Sequence, residues 1–498
     1  MNYIGISCGF HDAALSVVDN TGNILFASHS ERYSGVKHTK HLGIDIVQDA
    51  ITYIHDRHKV ELHYYERPFM KYLRQLRAGE SPKLSSLNAK RIIGEGLIHR
   101  LTDGRGGRVH THNHHLSHAA AGFQTSPFDD ATVVVIDAIG EFDSISIWDA
   151  HYENGKAVYK KLFSKGYPNS IGLFYSALTK RVGLRPNEEE YITMGMAAYG
   201  KPKYYDTMNS MLLNSVVDFD FKDNLHIGLP EGFLDDASAE DLAASGQLLV
   251  EKLIQSVMIR AKKIGKSRNL VYGGGVALNC LANRLLGEHF ERIWIIPNPG
   301  DAGSSLGAAS LGYGGRVKFD NSFLGHNIPG NYPVDDLMAE LLTKQIVGVA
   351  SGRAEFGPRA LGNRSLLADP RGNEIKDKVN EIKRRQKFRP FAPVILEEYT
   401  HQYFNMPNGF DNSRYMQVIG SCRHPHLFPA IVHYDGTSRV QTVPNDGSGI
   451  RQLLEAWHET TGCPMLLNTS LNIRGESMVN NRDDADRFQD RYNIKVVS

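Results

Sequence analysis

The sequence predicts an α/β protein of two domains, the first of them built from two similar lobes. Three observations carry this expectation. A strand–acidic turn–strand unit at residues 3–19 (YIGISC, a turn at Gly9-Phe10-His11-Asp12, then AALSVVD) returns about 125 residues later at 131–148 (ATVVVID, a turn at Ala138-Ile139-Gly140-Glu141, then SISIW), an internal repeat at domain scale. Residues 270–283 (LVYGGGVALNCLAN) read as a strand, three glycines and a helix. From 319 to 333 (FDNSFLGHNIPGNYP) periodicity is lost and Pro, Gly and Asn collect, which marks an interdomain linker and divides the chain into domains 1–325 and 335–498.

The bulk numbers agree with this plan. A chain of 498 residues is too long for one core. Its 56 Lys and Arg against 55 Asp and Glu give no global attraction to nucleic acid or membrane, so a surface for either has to be a local patch. Cys8, Cys280, Cys422 and Cys463 are far apart and form no C-x-x-C, as expected of buried thiols in a reducing compartment. The start, MNYIGISCGFHDAAL, lacks the basic region of a signal peptide, and no apolar run approaches the ~20 residues that span a bilayer. A cytoplasmic enzyme without membrane association is expected, with a homodimer as the default assembly.

In chain order, the first hairpin brings His11 and Asp12 to a turn. The run HHLSHAAA at 114–121 should be helical, and there His114 and His118, four apart, project from one face and can reach one ion. Asp137 ends the apolar run at 132–136. Imidazoles with carboxylates suit Fe, Zn or Mn better than Mg or Ca. A His-rich surface helix is the other reading, since His110, His112 and His115 crowd the same stretch. Glu188–Glu190 open a helix whose dipole favours acids. Residues 247–264 have the apolar spacing of a long core helix. The glycines Gly273, Gly274 and Gly275 let backbone N–H groups approach an anionic ligand, and Asp301 lies in a Gly-rich turn before a small-residue helix, placed to add a metal carboxylate.

Beyond the linker a strand at 346–350 leads into Arg353, Arg359, Arg364 and Arg371 on Gly and Pro turns. Lys383, Arg384, Arg385, Lys387 and Arg389 follow, then Arg439, and a strand ending in Asn468, Ser470 and Asn472. Cations on loops beside short apolar strands fit a small phosphorylated substrate, with Arg bidentate, Lys a point charge and amides orienting a carboxamide. The alternative is a solvated basic face. Against it stands FRPFAP, where Arg389 is flanked by Phe388, Phe391 and two prolines.

Paired hairpins of this sort hold phosphates and metal between the lobes of the actin, Hsp70 and sugar-kinase superfamily. The chain resembles, over nearly its whole length, the O-carbamoyltransferase family that includes the nodulation and cephamycin carbamoyltransferases (NodU/CmcH type). The shared motifs are HDAA at 11–14, SERYSGVKH at 30–38, HHLSHAA at 114–120, MGMAAYG at 194–200, GGGVALN at 273–279 and NPGDAGSSLGAA at 298–309. They continue with EFGPRALGNRSLL at 355–367, FRPFAP at 388–393, DGTSRVQ at 435–441 and NTSLN at 468–472.

The resemblance implies an actin-like N-terminal domain and a smaller α/β domain similar to threonylcarbamoyl-AMP synthases. The latter would make carbamoyladenylate from carbamoyl phosphate and ATP, with Mg accompanying ATP, and the former would pass the carbamoyl group to an acceptor hydroxyl. It implies His114, His118, Asp137 and Asp301 as ligands of a divalent metal, typically Fe(II), and His11 with Asp12 as the pair that orients or deprotonates the acceptor. Gly273, Gly274, Gly275 and Asn279 would form the nucleotide loop of the transfer site. Arg359, Lys383, Arg389, Arg439, Asn468 and Ser470 would form the carbamoyl phosphate and ATP pocket. Two departures stand out: Ile192 where relatives often carry Lys, and NTSLNIRGESMVNN where they read NTSFN followed by GEP.

Rival readings are a tRNA threonylcarbamoylation protein and an actin-like ATPase without transfer chemistry. The EFGPRALGNRSLL and FRPFAP motifs oppose the first, and the His/His/Asp/Asp set opposes the second, since phosphoryl-transfer members use Mg and carboxylates. The acceptor is open among a sugar, an antibiotic scaffold and a 5-hydroxymethylated pyrimidine in DNA. Bearing on the last, residues 63–108 hold ten Lys or Arg against four acids, with Tyr64, Tyr65, Phe69 and Tyr72 interleaved. That mixture tracks a phosphate backbone and stacks bases. A solvated helical insertion with core aromatics is the plainer alternative.

Overall fold

The computed structural model describes every residue except Asn373, Lys387, Phe388 and Pro390. Strands β1 (Asn2–Ser7), β2 (Ala14–Asp19) and β3 (Ile24–His29) form an antiparallel meander. Strands β4 (Val60–Tyr64) and β5 (Val109–Thr111) extend it in parallel on the other side of β1, giving the order β3-β2-β1-β4-β5. The second lobe repeats this topology. Strands β6 (Asp130–Gly140), β7 (Asp143–Glu153) and β8 (Lys156–Gly166) are the meander. After a separate ribbon of β9 (Leu213–Ser215) and β10 (Asp220–Phe221), strands β11 (Asn269–Gly273) and β12 (Arg292–Trp294) lie parallel beside β6, in the order β12-β11-β6-β7-β8. Two sheets of one plan are the bilobal actin-like arrangement that the paired hairpins predicted. Runs such as TVVVI in β6 are buried on both faces and so read as continuous apolar stretches without alternation.

Two helices, His114–Phe123 and Gly303–Tyr313, pack against each other between the sheets. The second can approach so closely because it is made of small residues: a side chain at Gly307 would collide with the Ser117 carbonyl of the first helix. One at Gly303 would meet Asn298. Ser305 reaches across to Ser16 of β2 (2.8 Å). Both helices begin at the same end of the interlobe seam, which brings their N-termini together.

Beyond the lobes a six-stranded mixed sheet runs in the order Gln441–Val443, Ala392–Leu396, Met465–Ser470, Arg364–Ala368, Ile346–Ala350, Val496–Val497. Helices Val334–Lys344 and Gly449–Thr461 pack together and onto it, and one apolar cluster from Ile328 to Val497 with Trp457 near its centre fills the space.

Several elements depart from the expectations. Strand β6 runs on to Gly140, so the second turn falls at 141–142. The stretch 319–333 holds a strand, Phe323–Ile328, paired antiparallel with Gly352–Glu355; its Asn and Gly content hid it. The triple glycine leads not into a long helix but into a 3-10 turn, Gly275–Leu278, and a single helical turn, Cys280–Asn283. The core helix spans Ala239–Ile264, beginning earlier than its apolar spacing indicated. Among the described residues it alone is long and apolar enough to cross a membrane, and 72% of its apolar window is buried inside the fold.

Candidate active site

The Asn113 side chain caps the His114 helix by accepting the Leu116 main-chain N–H, fixing its first turn. One turn apart, His114 and His118 bring their Nε2 atoms to 3.1 Å of each other. Asp137 lies where the β6–β7 register slips between Ile136 and Gly140. Such an irregularity re-aims a side chain. Its Oδ2 stands 3.2 Å from His114 Nε2 and 3.8 Å from His118 Nε2. Asp301, in the turn before the Gly303 helix, places Oδ1 3.3 Å from both imidazole nitrogens. All four residues are buried. A metal bound at 2.0–2.2 Å from each ligand separates its donors by about 3.0–3.5 Å, and four of these five separations fall in that range, as suits a small divalent transition metal.

Neighbours hold the four in place, as the outer contacts of metal ligands do. His118 Nδ1 faces the Pro299 carbonyl (3.1 Å), which turns Nε2 to the cluster. Buried Glu66 stands 3.7 Å from His114 Nδ1 and accepts from Lys71 (2.7 Å). Asp137 Oδ1 accepts the Gly275 main-chain N–H (3.2 Å), the one direct tie from the triple glycine to the cluster. Gly274 has φ +87°, and a side chain there would collide with Ile136, so the close approach of that loop to β6 demands glycine. Burial opposes charge on the imidazoles, yet the fields and hydrogen bonds of Asp301 and Asp137 raise His114 well above its usual pKa and raise His118 too. Despite the same burial, the imidazoles hold both aspartates below the usual carboxylate range.

Facing this cluster is the β1–β2 turn. Asp12 sits at φ +51° and binds two imidazoles, His11 Nδ1 and His38 Nδ1, each at 2.8 Å. His11 Nε2 then points to the cluster, 3.9 Å from Asp301 Oδ2. Burial lowers the His11 pKa, but the Asp12 hydrogen bond and the Asp301 charge outweigh it and lift His11 to about 9. Asp12 is driven far down by its two hydrogen bonds, against burial. Glu31 accepts the His38 main-chain N–H (2.9 Å), and Asp12, Glu31 and His38 form a second, half-exposed donor group. Sequence reasoning assigns no site role to His38, Glu31, Glu66 or Glu141, and counts Lys71 only among the cations of residues 63–108. The available signal was that Glu31 and His38 lie in the SERYSGVKH motif. Asn279, expected at the nucleotide loop, exchanges two hydrogen bonds with buried Gln247 (3.1 and 3.0 Å) and caps the Cys280 turn.

The second candidate pocket lies in the C-terminal sheet. Lys383 is buried against the Ser470 carbonyl and hydroxyl and Asn472 Oδ1 (2.8 Å). Burial and the nearby Arg385 push its pKa well down. Asn468 donates to the Ala360 carbonyl (3.0 Å) and Gln441 Oε1 (2.7 Å). Arg359, Arg385, Arg389 and Arg439 are all depressed by burial, with neighbouring guanidinium charge adding to three of them. Arg389 stacks over Tyr191 (5.1 Å) and Arg474 binds Glu189 (2.9 Å), so the cluster abuts the helix Glu190–Met196 of the second lobe. Phe388 and Pro390, expected around Arg389, and Lys387 lie outside the described residues. Other expected cations serve the fold. Arg364 is fully buried and donates to five main-chain carbonyls, Arg353 donates to three, and Arg371 pairs with Asp369.

A family model described as carbamoyltransferase N-terminus matches residues 89–310, and one described as carbamoyltransferase C-terminus matches residues 338–498. An uncharacterized protein of Synechocystis is 31% identical, covering 97% of this chain and 93% of its own. Nodulation protein NolNO of Sinorhizobium fredii is 30% identical, covering 95% and 76%. Among solved structures, the activator of 2-hydroxyisocaproyl-CoA dehydratase from Clostridium difficile aligns over 63% of this chain and 94% of its own, at 15% identity and a TM-score of 0.34. Through both family models and these relatives, the chain belongs to the carbamoyltransferase family and is a carbamoyltransferase.

Proposed function

We propose that the chain is an ATP-dependent O-carbamoyltransferase that works at two sites, one in residues 335–498 and one in residues 1–325. At the C-terminal pocket carbamoyl phosphate is hydrolysed to carbamate. A carbamate oxygen then attacks the α-phosphorus of ATP, and pyrophosphate leaves. Arg359, Arg389 and Arg439 hold phosphate oxygens, while Asn468, Ser470 and Lys383 hold the carbamoyl end. The crowding of buried guanidinium groups supports the assignment: Arg359, depressed by burial and by the charge of Arg439, gains from a polyanion.

The observation that carries the reading is the buried set of His114, His118, Asp137 and Asp301 with His11 facing it. These residues fit Fe(II) or a similar ion, which when bound would supply Lewis-acid polarisation and hold the adenylate. The chain's own chemistry is the rest. Gly273–Gly275, packed without side chains against His118, Ile136 and Asp137, offer their backbone to the nucleotide beside the cluster. Asp12 fixes the His11 ring through Nδ1, so that Nε2 takes the proton of the acceptor hydroxyl. The acceptor oxygen bonds to the carbamoyl carbon, the bond from that carbon to the phosphate oxygen breaks, and AMP leaves. Neutralising Asp301 and Asp137 with a cation removes two charges that raise His11, and so favours its neutral, basic form.

Two measurements test this. Pyrophosphate release that depends on carbamoyl phosphate reads the first site, and mass gain on a panel of hydroxylated acceptors, hydroxymethylcytosine DNA included, reads the second. His114→Ala should abolish transfer and leave pyrophosphate release intact. Loss of both would refute the division of labour.

A further inference from the structure

The segment between β4 and β5 builds a cleft beside the transfer centre. Its volume is about 810 Å³, within the range of small-ligand sites. Arg67, Phe69 and Met70 form one wall, Leu87 and Lys90 the other, and Arg108 closes one side. The cleft is tied to the centre by a shared carboxylate. Glu141 binds the main-chain N–H (2.8 Å) and guanidinium of Arg67, and also the Asn113 side chain (3.1 Å) and the His114 main-chain N–H (3.3 Å). On the other flank, Lys71 lies over the Phe10 ring (5.3 Å), and Phe10 packs at a tilt against His11 (4.7 Å).

The charge around this cleft is unbalanced. Of the ten cations from 63 to 108, Arg67, Lys71 and Arg74 are paired, with Glu141, Glu66 and Glu80. The other seven, Arg77, Lys83, Lys90, Arg91, Arg100, Arg105 and Arg108, are exposed and have no ion pair among the described residues. The acids nearby are already used: Asp103 pairs with Arg57, which leaves only Glu95. Tyr64 and Tyr65 are core, as the plainer sequence reading held. Phe69 and Phe10, however, are 59% and 55% exposed at the cleft and at the turn that carries His11. The cleft sets Lys90 and Arg108 beside the exposed Phe69 ring, a combination that suits a strand carrying phosphates and flat rings.

Resting on the carbamoyl-transfer reading above, we infer that this cleft is the acceptor site and that its occupant is a single-stranded nucleic acid, one hydroxyl-bearing nucleotide of which is presented to His11. Lys90, Arg91 and Arg108 track the phosphates, and Phe69 and Phe10 stack the rings.

The test is anisotropy of a fluorescein-labelled single-stranded oligothymidylate titrated with the full chain over a salt series. With three phosphates neutralised, the log–log slope should be about −2, so raising salt from about 50 to 200 mM weakens binding roughly 20-fold. Lys90→Glu with Arg108→Glu should flatten that slope and cut affinity at least tenfold. The same charge change at Lys262 and Lys263, on the second lobe, should leave it alone. Phe69→Ala should weaken binding without changing the slope. Salt-independent binding, equal loss in the Lys262/Lys263 variant, displacement by thymidine monophosphate as readily as by the oligomer, or preference for phosphatidylserine vesicles would each overturn the inference. Carbamoyl phosphate-dependent pyrophosphate release by the unaltered chain is measured in parallel. Its loss would count against the carbamoyl-transfer reading, whereas its persistence without strand binding counts only against the acceptor assignment.

Discussion

Replacing Gly140 by Ala probes the metal centre without removing a ligand. The new Cβ would stand 2.5 Å from His115 Cδ2 and 2.9 Å from His114 Cγ, and closer still to His114 Cδ2, where ordinary contacts begin at 3.4 Å. Gly140 is not among the positive-φ residues, so the cost is one of space and not of backbone conformation. Relief requires the His114 ring or the strand end to move by roughly 0.5–1 Å, several times the ±0.2 Å that metal–ligand distances tolerate. Nε2 is bonded to Cδ2 and must move with it. The expected result is a loss of metal affinity of about 10–100-fold, together with about 1–3 kcal/mol of stability from overpacking. Metal titration of the stripped protein, followed by mass spectrometric metal content and thermal melting, reads both. Gly195→Ala is the control. Nothing lies within 4 Å of a Cβ at that position, and Ala in the last turn of the helix Glu190–Met196, which runs on into the 3-10 turn Ala197–Tyr199, should stabilise by at most about 0.5–1 kcal/mol. Unchanged metal affinity and transfer in Gly140→Ala would show that His114 is not held as a ligand.

At the C-terminal pocket, Arg389→Lys keeps the charge but loses the planar donor pair, and should cost about 1.5–3 kcal/mol in carbamoyl phosphate use. Preformed carbamoyladenylate should restore transfer, and failure of that rescue would count against the assignment. Because their partners raise both His114 and His118, metal binding near neutral pH must displace protons from the imidazoles. Affinity should therefore rise with pH, and calorimetry in buffers of different ionisation heat should show proton release. Equal heats in all buffers would contradict it.

The lobes, the His114 helix and the four-donor set were legible because each rests on local pattern: β-branched runs, an i,i+4 pair, and carboxylates at strand or helix ends. What escaped depends on contacts between distant segments. The strand Phe323–Ile328 is held by pairing with Gly352–Glu355, which composition alone does not announce. Arg364 reads like a phosphate-binding cation but is consumed by five carbonyls. Glu66 and Glu141 stand beside His114 only because β4 and the β6–β7 turn converge on the same helix. In residues 63–108 the sequence supplied the charge count, but only folded contacts separate the three neutralised cations from the seven left exposed.

The duplicated topology explains how one seam holds both the buried His/Asp cluster and the His11 turn that faces it. In each sheet the first strand sits third in the order, and the turn that follows it emerges at the helix N-termini. The first lobe's turn takes up residues 8–13, and Asp12, at φ +51°, spends its carboxylate on His11 and His38. In the second lobe β6 runs on through a register slip, and Asp137 reaches the cluster instead, while Glu141 at the true turn binds Arg67 and the start of the His114 helix. Asp12 and Glu141 thus hold matching turn positions, and on the proposed mechanism the first fixes a proton acceptor while the second braces the helix that carries His114 and His118. Moving Asp137 by one residue along β6 would turn its carboxylate to the opposite face of the strand. The slip that places it is thus as necessary to the site as the carboxylate itself.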